Sequence, residues 1–158
     1  MVRIETPARI EPDLLEELMN ASFDARFGER WSPEQVIAAL AMPGATAAFA
    51  FTGPENSRPA GFALTRQVAD EAELLLIAVL PGQRGAGIGG RLLDHAIAQS
   101  AAAGARHMYL EVREGNTVAY ALYSSRGFEV VGRRPGYYRA DNGELHDALT
   151  MHLALNGI

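Results

Sequence analysis

An α/β domain built on one central sheet is what the sequence predicts, and three observations carry that expectation. Segments with strand-like alternation take turns with segments of helical periodicity along the chain. An almost unbroken apolar run at residues 73–80 empties into a glycine-rich turn that opens a helix. Two strands joined by a hairpin loop precede that run, so the chain does not simply repeat strand–helix–strand units. Its 158 residues carry no internal repeat, low-complexity tract or linker. They read as a single domain over 1–158, large enough to bury a core without staples.

The elements follow in order. Residues 2–6, VRIET, form a short strand. Residues 13–20 place Leu14, Leu15 and Leu18 at helical spacing after Pro12, which suits a first turn. In Trp31-Ser32-Pro33-Glu34-Gln35, Ser32 serves as N-cap and Pro33 fits the first helical position. Gln35 closes a capping box, and the helix runs through Leu40. Residues 45–52 and 60–69 are strands around a hairpin loop at 53–57. The apolar strand at 73–80 is expected to be covered on both faces. After the glycines, Ile88, Leu92, Ala96 and Ile97 share one helix face. In 106–113, Met108, Leu110 and Val112 point one way, and His107, Tyr109, Glu111 and Arg113 the other. A helix runs from Asn116, a good N-cap, to Gly127, with Phe128 as its apolar follower. Residues 128–134 and 145–155 finish as strands around a turn rich in Gly, Asp and Asn.

Composition narrows the function. At 48% hydrophobic and 21% charged, the chain is globular rather than disordered. It has no cysteine, which excludes disulfides and thiolate metal sites, and its four histidines show no metal-ligand spacing. No metal is expected. A net charge of −5 without any Lys/Arg-dense run disfavours a nucleic-acid partner. The acidic groups at Glu11, Asp13, Glu16 and Glu17, and at Asp70, Glu71 and Glu73, read as solvated faces or as attraction for a cationic substrate. The opening MVRIETPARI lacks the apolar core of a secretory signal, and no apolar stretch nears the ~20 residues that span a bilayer. A cytoplasmic protein without membrane attachment is expected; nothing in the sequence bears on its oligomeric state.

The segment Gln83-Arg84-Gly85-Ala86-Gly87-Ile88-Gly89-Gly90 joins a strand to a helix. Its glycines admit positive φ and close backbone approach, and with the helix N-terminus they suit a pyrophosphate. The same residues match GxGxxG, with Glu111 roughly where a ribose-binding acid would fall. Three features oppose a dinucleotide domain. Leu80-Pro81-Gly82-Gln83-Arg84 intervene between strand and glycines, too little chain follows Gly90 for a doubly wound fold, and the preceding strands form a hairpin.

Read as Arg84-x-x-Gly87-x-Gly89 after Ile77-Ala78-Val79, the loop resembles the phosphate-binding motif of the GNAT superfamily of N-acetyltransferases, (Gln/Arg)-x-x-Gly-x-(Gly/Ala). The resemblance implies the GNAT fold: a mixed, mostly antiparallel sheet, flanked by helices and splayed between the strands at 73–80 and 106–113. It implies acetyl-CoA as cosubstrate, its pantetheine arm bonded to the backbone of Ile77 and Val79. Cofactor contacts are expected from Ile77, Ala78 and Val79, and from Arg84, Gly85, Ala86, Gly87, Ile88, Gly89 and Gly90. Within the superfamily, Leu110-Glu111-Val112-Arg113, Asn116, Ala121-Leu122-Tyr123, Gly127-Phe128, Arg133-Arg134, Tyr137-Tyr138 and Asp147-Ala148 resemble the bacterial ribosomal-protein alanine N-acetyltransferases. That likeness runs from about 70 to 151, and before it thins to Trp31-Ser32. It implies an N-terminal alanine of a small-subunit ribosomal protein as acceptor, Glu111 as general base and Tyr123 as general acid. It also implies Asn116 and Tyr120 at the cofactor, and Trp31, Tyr137 and Tyr138 at the acceptor peptide. Leu75 and Leu76 depart from the polar residue often found before Ile-Ala-Val, which bears on substrate recognition.

Spacing adds its own reading. Asn116, Tyr120 and Tyr123 fall at i, i+4 and i+7, so one face carries a cap and two phenols. Tyr120 reads as core packing or as a cofactor contact, and a buried Tyr123 needs a polar partner. Glu111 is either a solvated or Arg113-paired glutamate, or a base beside the gap. Tyr137 and Tyr138 suit a peptide groove and core or turn packing equally. Direct transfer in a ternary complex is expected, and the lack of cysteine excludes an acetyl-cysteine intermediate. An α-amine (pKa ~8) holds far more neutral form at pH 7 than lysine (~10.4), so a protein N-terminus asks less of one glutamate. The alternatives are acetylation of a lysine side chain or small amine, and a non-catalytic acyl-CoA-binding module.

Overall fold

The computed structural model describes residues 2–6, 13, 16, 18–19, 32–54, 58–83, 87–140 and 142–155. Among them, strands β1 (Arg3–Glu5), β2 (Ala45–Phe51), β3 (Gly61–Val68), β4 (Glu71–Val79), β5 (His107–Arg113), β6 (Glu129–Arg139) and β7 (Leu145–Ala154) form one sheet in the order β1-β2-β3-β4-β5-β7-β6. Every neighbouring pair is antiparallel except β4–β5, which is parallel. The helices are α1 (Pro33–Leu40), α2 (Ile88–Ala102) and α3 (Thr117–Ser125). This is the expected mixed, mostly antiparallel sheet with helices beside it. Of the helix expected at 13–20, the described residues Asp13, Glu16, Leu18 and Met19 are helical.

Local chemistry fixes the helix starts. Ser32 Oγ accepts from the Gln35 amide at 3.1 Å, and Gln35 Oε1 accepts from the Ser32 amide at 2.8 Å, which completes the capping box. Asn116 Oδ1 accepts from the Ala119 amide at 3.2 Å at the start of α3. The Asp70 carbonyl, in the β3–β4 turn, accepts from the amides of Arg106 (2.6 Å) and His107 (3.2 Å) and so ties the start of β5 beside β4.

Two apolar clusters cover the sheet. One holds Ile88, Leu92, Leu93 and Ala96 of α2 with Met108, Leu110, Val112, Tyr123, Phe128 and Met151. The other holds Leu18, Met19 and Val36 with Phe49, Phe62, Leu64, Leu76 and Ala78. Strand β4 contributes to both because its register slips: Leu64 pairs with Leu76 but Thr65 with Leu74, leaving Leu75 as an extra residue. Ala72 and Leu74 therefore join the first cluster, and Leu76 and Ala78 the second.

One sequence expectation holds unevenly and one needs correction. The strand at 73–80 is covered on both faces, Leu74, Ile77 and Val79 packing on the first cluster and Leu76 and Ala78 on the second, but Leu75, Ile77 and Val79 are only half-buried. An apolar run in this position serves a gap in the sheet as well as a core. Strand β6 does not stop near Arg134 but continues to Arg139, with register irregularities between Val130 and Gly132 and between Arg134 and Tyr138. Pro135 and Gly136, which fall in the stretch expected as a turn, sit in the second irregularity.

Candidate active site

The β4–β5 ladder is short. It pairs Glu71 with His107, Ala72 with Met108, Glu73 with Tyr109 and Leu74 with Leu110, then ends. Beyond it β4 continues on β3 to Val79, and β5 continues on β7 to Arg113, so the sheet divides into a V. The bulge at Leu75 sits at the point of division. The Leu80 amide bonds the Ala60 carbonyl at 2.9 Å, and in an antiparallel ladder the hydrogen-bonding direction alternates by residue. Ala78 and Leu76 therefore turn their backbone groups toward β3, and Ile77 and Val79 turn theirs toward the gap. Of the expected trio, Ile77 and Val79 have their main chain turned to the gap, and Ala78 has its main chain turned to β3.

Gly87 is the N-cap of α2, with φ +77° and no side-chain cap. The first-turn amides of Ile88, Gly89 and Gly90 therefore form an uncapped helix start, suited to an anion. Ile88 itself is buried in the core. A Cβ at Gly89 would touch Leu122 Cδ2 (3.5 Å) and Val79 Cγ2 (3.9 Å), which places α3 and β4 against this turn. A Cβ at Gly90 would collide with the Arg126 guanidinium. Arg126 is held by Asp94 through bonds of 3.1 and 3.3 Å and by Ser125 Oγ at 3.0 Å. Its guanidinium lies against the first turn as half of that ion pair, and nothing in the sequence singled it out. Arg84, Gly85 and Ala86 lie outside the described residues, as does Trp31. The open V and the uncapped, glycine-built helix start fit a ligand with an amide-bearing arm and a pyrophosphate.

On the face opposite Leu110, a cavity of about 370 Å³ is lined by Arg66, Glu73, Tyr109, Glu111, Arg134 and Thr150, among others. Glu73 is the last β4 residue on this face before the bulge, and Glu111 is the first β5 residue past the ladder. The two carboxylates thus straddle the mouth of the V. Partial desolvation, and then the charge of Glu111, raise the pKa of Glu73 above the usual carboxylate range, with Arg134 and Arg66 opposing. Glu111 is 19% exposed, and its Oε2 lies 3.3 Å from Arg134 Nε. That oxygen is buried and makes no hydrogen bond, so the contact is an ion pair without hydrogen-bond alignment. Of the two structural readings for Glu111, its partner is Arg134 rather than Arg113.

On α3, Tyr123 is buried, edge-on to Phe128 with ring centroids 6.0 Å apart. Tyr120 is 42% exposed, which rules out its core-packing reading. Asn116 spends its side-chain oxygen on the cap. Tyr137 and Tyr138 belong to β6 and meet edge-on at 5.1 Å. Tyr137 does not line the cavity; its ring lies under the Arg134 guanidinium at 5.4 Å. No described helix is long and apolar enough to cross a membrane. Among the described residues, no group of three or more His, Cys, Asp or Glu is placed to hold a metal ion.

Comparison with known proteins supplies a context. The model of the acetyltransferase (GNAT) family matches residues 13–128. The [ribosomal protein bS18]-alanine N-acetyltransferase of Escherichia coli K12 is 40% identical over 102 residues, 65% of this chain and 68% of the relative. Its counterpart from Salmonella typhimurium LT2 is 41% identical over 101 residues, 64% of this chain and 68% of the relative. The crystal structure of the E. coli ribosomal-protein-S18-alanine N-acetyltransferase superposes with a TM-score of 0.87 at 28% identity, covering 100% of this chain and 96% of that one. Arabidopsis thaliana NAA60, in complex with a bisubstrate analogue, shares the fold with a TM-score of 0.80 at 21% identity over the whole of both chains.

Proposed function

The chain belongs to the GNAT family of acetyltransferases, and from that premise we propose that it acetylates the α-amine of a protein N-terminus, with the N-terminal alanine of a small-subunit ribosomal protein as acceptor. The relatives named for that reaction support the acceptor, and the join of all described strands into one sheet supports residues 1–158 acting as one catalytic domain. The observation that carries the chemistry is the division of the sheet at Leu74 and Leu110 with Glu111 at its mouth.

Acetyl-CoA supplies the activated acyl group as a thioester. Ile77 offers main-chain hydrogen bonds to its pantetheine arm in the V, with Val79 next on the same edge. The first turn of α2, from Gly87 to Gly90, receives the pyrophosphate, with Arg126 lying against it. Glu111 removes the proton that the acceptor nitrogen sheds as the new C–N bond forms. Tyr123 gives its phenolic proton to the sulfur as the C–S bond breaks, and Asn116 fixes the start of the helix that carries it. Glu73, facing Glu111 across the mouth, adds negative potential for the incoming ammonium.

The test is acetyl transfer from acetyl-CoA to alanine-initiated peptides with free or blocked N-termini, located by mass spectrometry. Acetylation of the free α-amine, and none of the blocked peptide, is the expected result. Acetylation confined to a lysine side chain rejects the acceptor assignment, and absence of CoA release with any amine rejects catalysis.

A further inference from the structure

Adjacent arginines on β6 do different work. Arg133 is committed to two carboxylates: through its terminal nitrogens it bonds both carboxylate oxygens of Glu114 and Oδ2 of Asp147. Arg134 makes one ion pair, through Nε to Glu111, and is 59% exposed. Among the described residues its two terminal nitrogens have no hydrogen-bond partner, and it lines the Glu111 cavity. The guanidinium is steadied by the Tyr137 ring at 5.4 Å, and Tyr137 in turn rests edge-on against Tyr138 at 5.1 Å. The register irregularity between Arg134 and Tyr138 puts the arginine and the ring that supports it on the same side of the strand.

The cavity therefore presents a carboxylate and a fixed, permanently charged donor fork 3.3 Å apart at their nearest atoms. In a peptide N-terminus, the amine nitrogen and the carbonyl oxygen of the same residue are three bonds apart, roughly 3 Å in space. A lysine side-chain amine or a simple alkylamine has no such oxygen. We propose that Arg134 is a specificity-determining residue: its free guanidinium nitrogens donate to the first carbonyl of the acceptor while Glu111 takes the amine proton. The site thereby selects α-amino carbonyl compounds over other amines. This rests on the proposed role of Glu111 and adds the reason an N-terminus is preferred.

The experiment compares an alanine-initiated peptide with its analogue in which an E-alkene replaces the first peptide bond, which keeps the shape but removes the carbonyl oxygen. Turnover with acetyl-CoA and calorimetric binding to CoA-saturated protein are both measured. Wild type is expected to favour the carbonyl peptide at least tenfold by either readout. Arg134→Met brings the two peptides within twofold, Arg134→Lys restores part of the preference, and the KM for acetyl-CoA stays unchanged. Glu111→Gln lowers turnover of both peptides and leaves their ratio alone. The proposal is overturned if wild type shows no preference, if Arg134→Met keeps it, or if Arg134→Met weakens acetyl-CoA to the same degree as the peptide. Should wild type bind the carbonyl peptide selectively yet acetylate neither, the N-terminal reading fails and the role of Arg134 stands.

Discussion

Replacing Gly87 by alanine isolates the backbone geometry of the anion site. Gly87 has φ +77° and ψ 12°, a left-handed conformation that costs an L-residue about 1–2 kcal/mol. Nothing lies within 4 Å of a Cβ built there, so no clash adds to that cost. Alanine also narrows the unfolded ensemble, which returns about 0.4–1 kcal/mol. The net loss of stability is therefore about 1 kcal/mol, readable as a lower urea midpoint at unchanged slope. If the new alanine escapes the strain by leaving the left-handed region, the first amides of α2 turn away from the phosphate position. A tenfold weakening of CoA, about 1.4 kcal/mol, is expected by calorimetry. Gly87→Asn, which tolerates this conformation better, falls between wild type and alanine in both assays. Gly82→Ala, with open space and no positive φ, is the neutral control. Wild-type stability and CoA affinity in Gly87→Ala, or an equal loss in Gly82→Ala, refutes the reasoning.

Four further outcomes are expected. Glu111→Gln lowers kcat about 10²–10⁴-fold at saturating acetyl-CoA, and near-normal turnover from pH 6 to 9 would remove it as the base; Tyr123→Phe slows the chemical step in single-turnover experiments while CoA affinity holds. Leu92→Ala, at a position fully buried between α2 and β3, costs about 2–5 kcal/mol in denaturant unfolding without altering the site's residues. Asp147 accepts from the Gly136 amide at 2.9 Å and from Arg133 at 2.8 Å, and these bonds hold its carboxyl below the ordinary carboxylate range. A depressed folded pKa contributes stability above the unfolded value and loses it as pH falls through the folded one. Asp147→Asn is therefore less stable than wild type at pH 7, by less than Leu92→Ala, and the gap closes on acidification; a difference that persists at the acid limit contradicts this.

Much of the fold was legible because local rules and packing agree. The capping box at Ser32–Gln35, the Asn116 cap and the alternation along β5 each declare themselves within a few residues. The bulge at Leu75 was not legible: three consecutive leucines carry no sign of which one is surplus, and only the pairing with Leu64 and Thr65 decides it. That single residue changes which side chains of β4 face each cluster. Pro135-Gly136 misled in the opposite direction, since turn residues also mark a strand irregularity. At the site, Glu111 and the glycines stood out by spacing and resemblance. Arg126 and Arg134 did not, because a lone arginine acquires meaning only from partners distant in sequence: Asp94 and the α2 turn for one, Glu111 and Tyr137 for the other.

Amide exchange at Ile77, followed with and without saturating coenzyme A, tests the open V most directly. Ala78 bonds to β3 in either state and serves as the internal reference. Strong slowing of the Ile77 amide on addition of coenzyme A, with Ala78 unchanged, is the expected result. Calorimetric binding that leaves Ile77 exchange unaltered, or no binding of coenzyme A by the pure protein, contradicts the account.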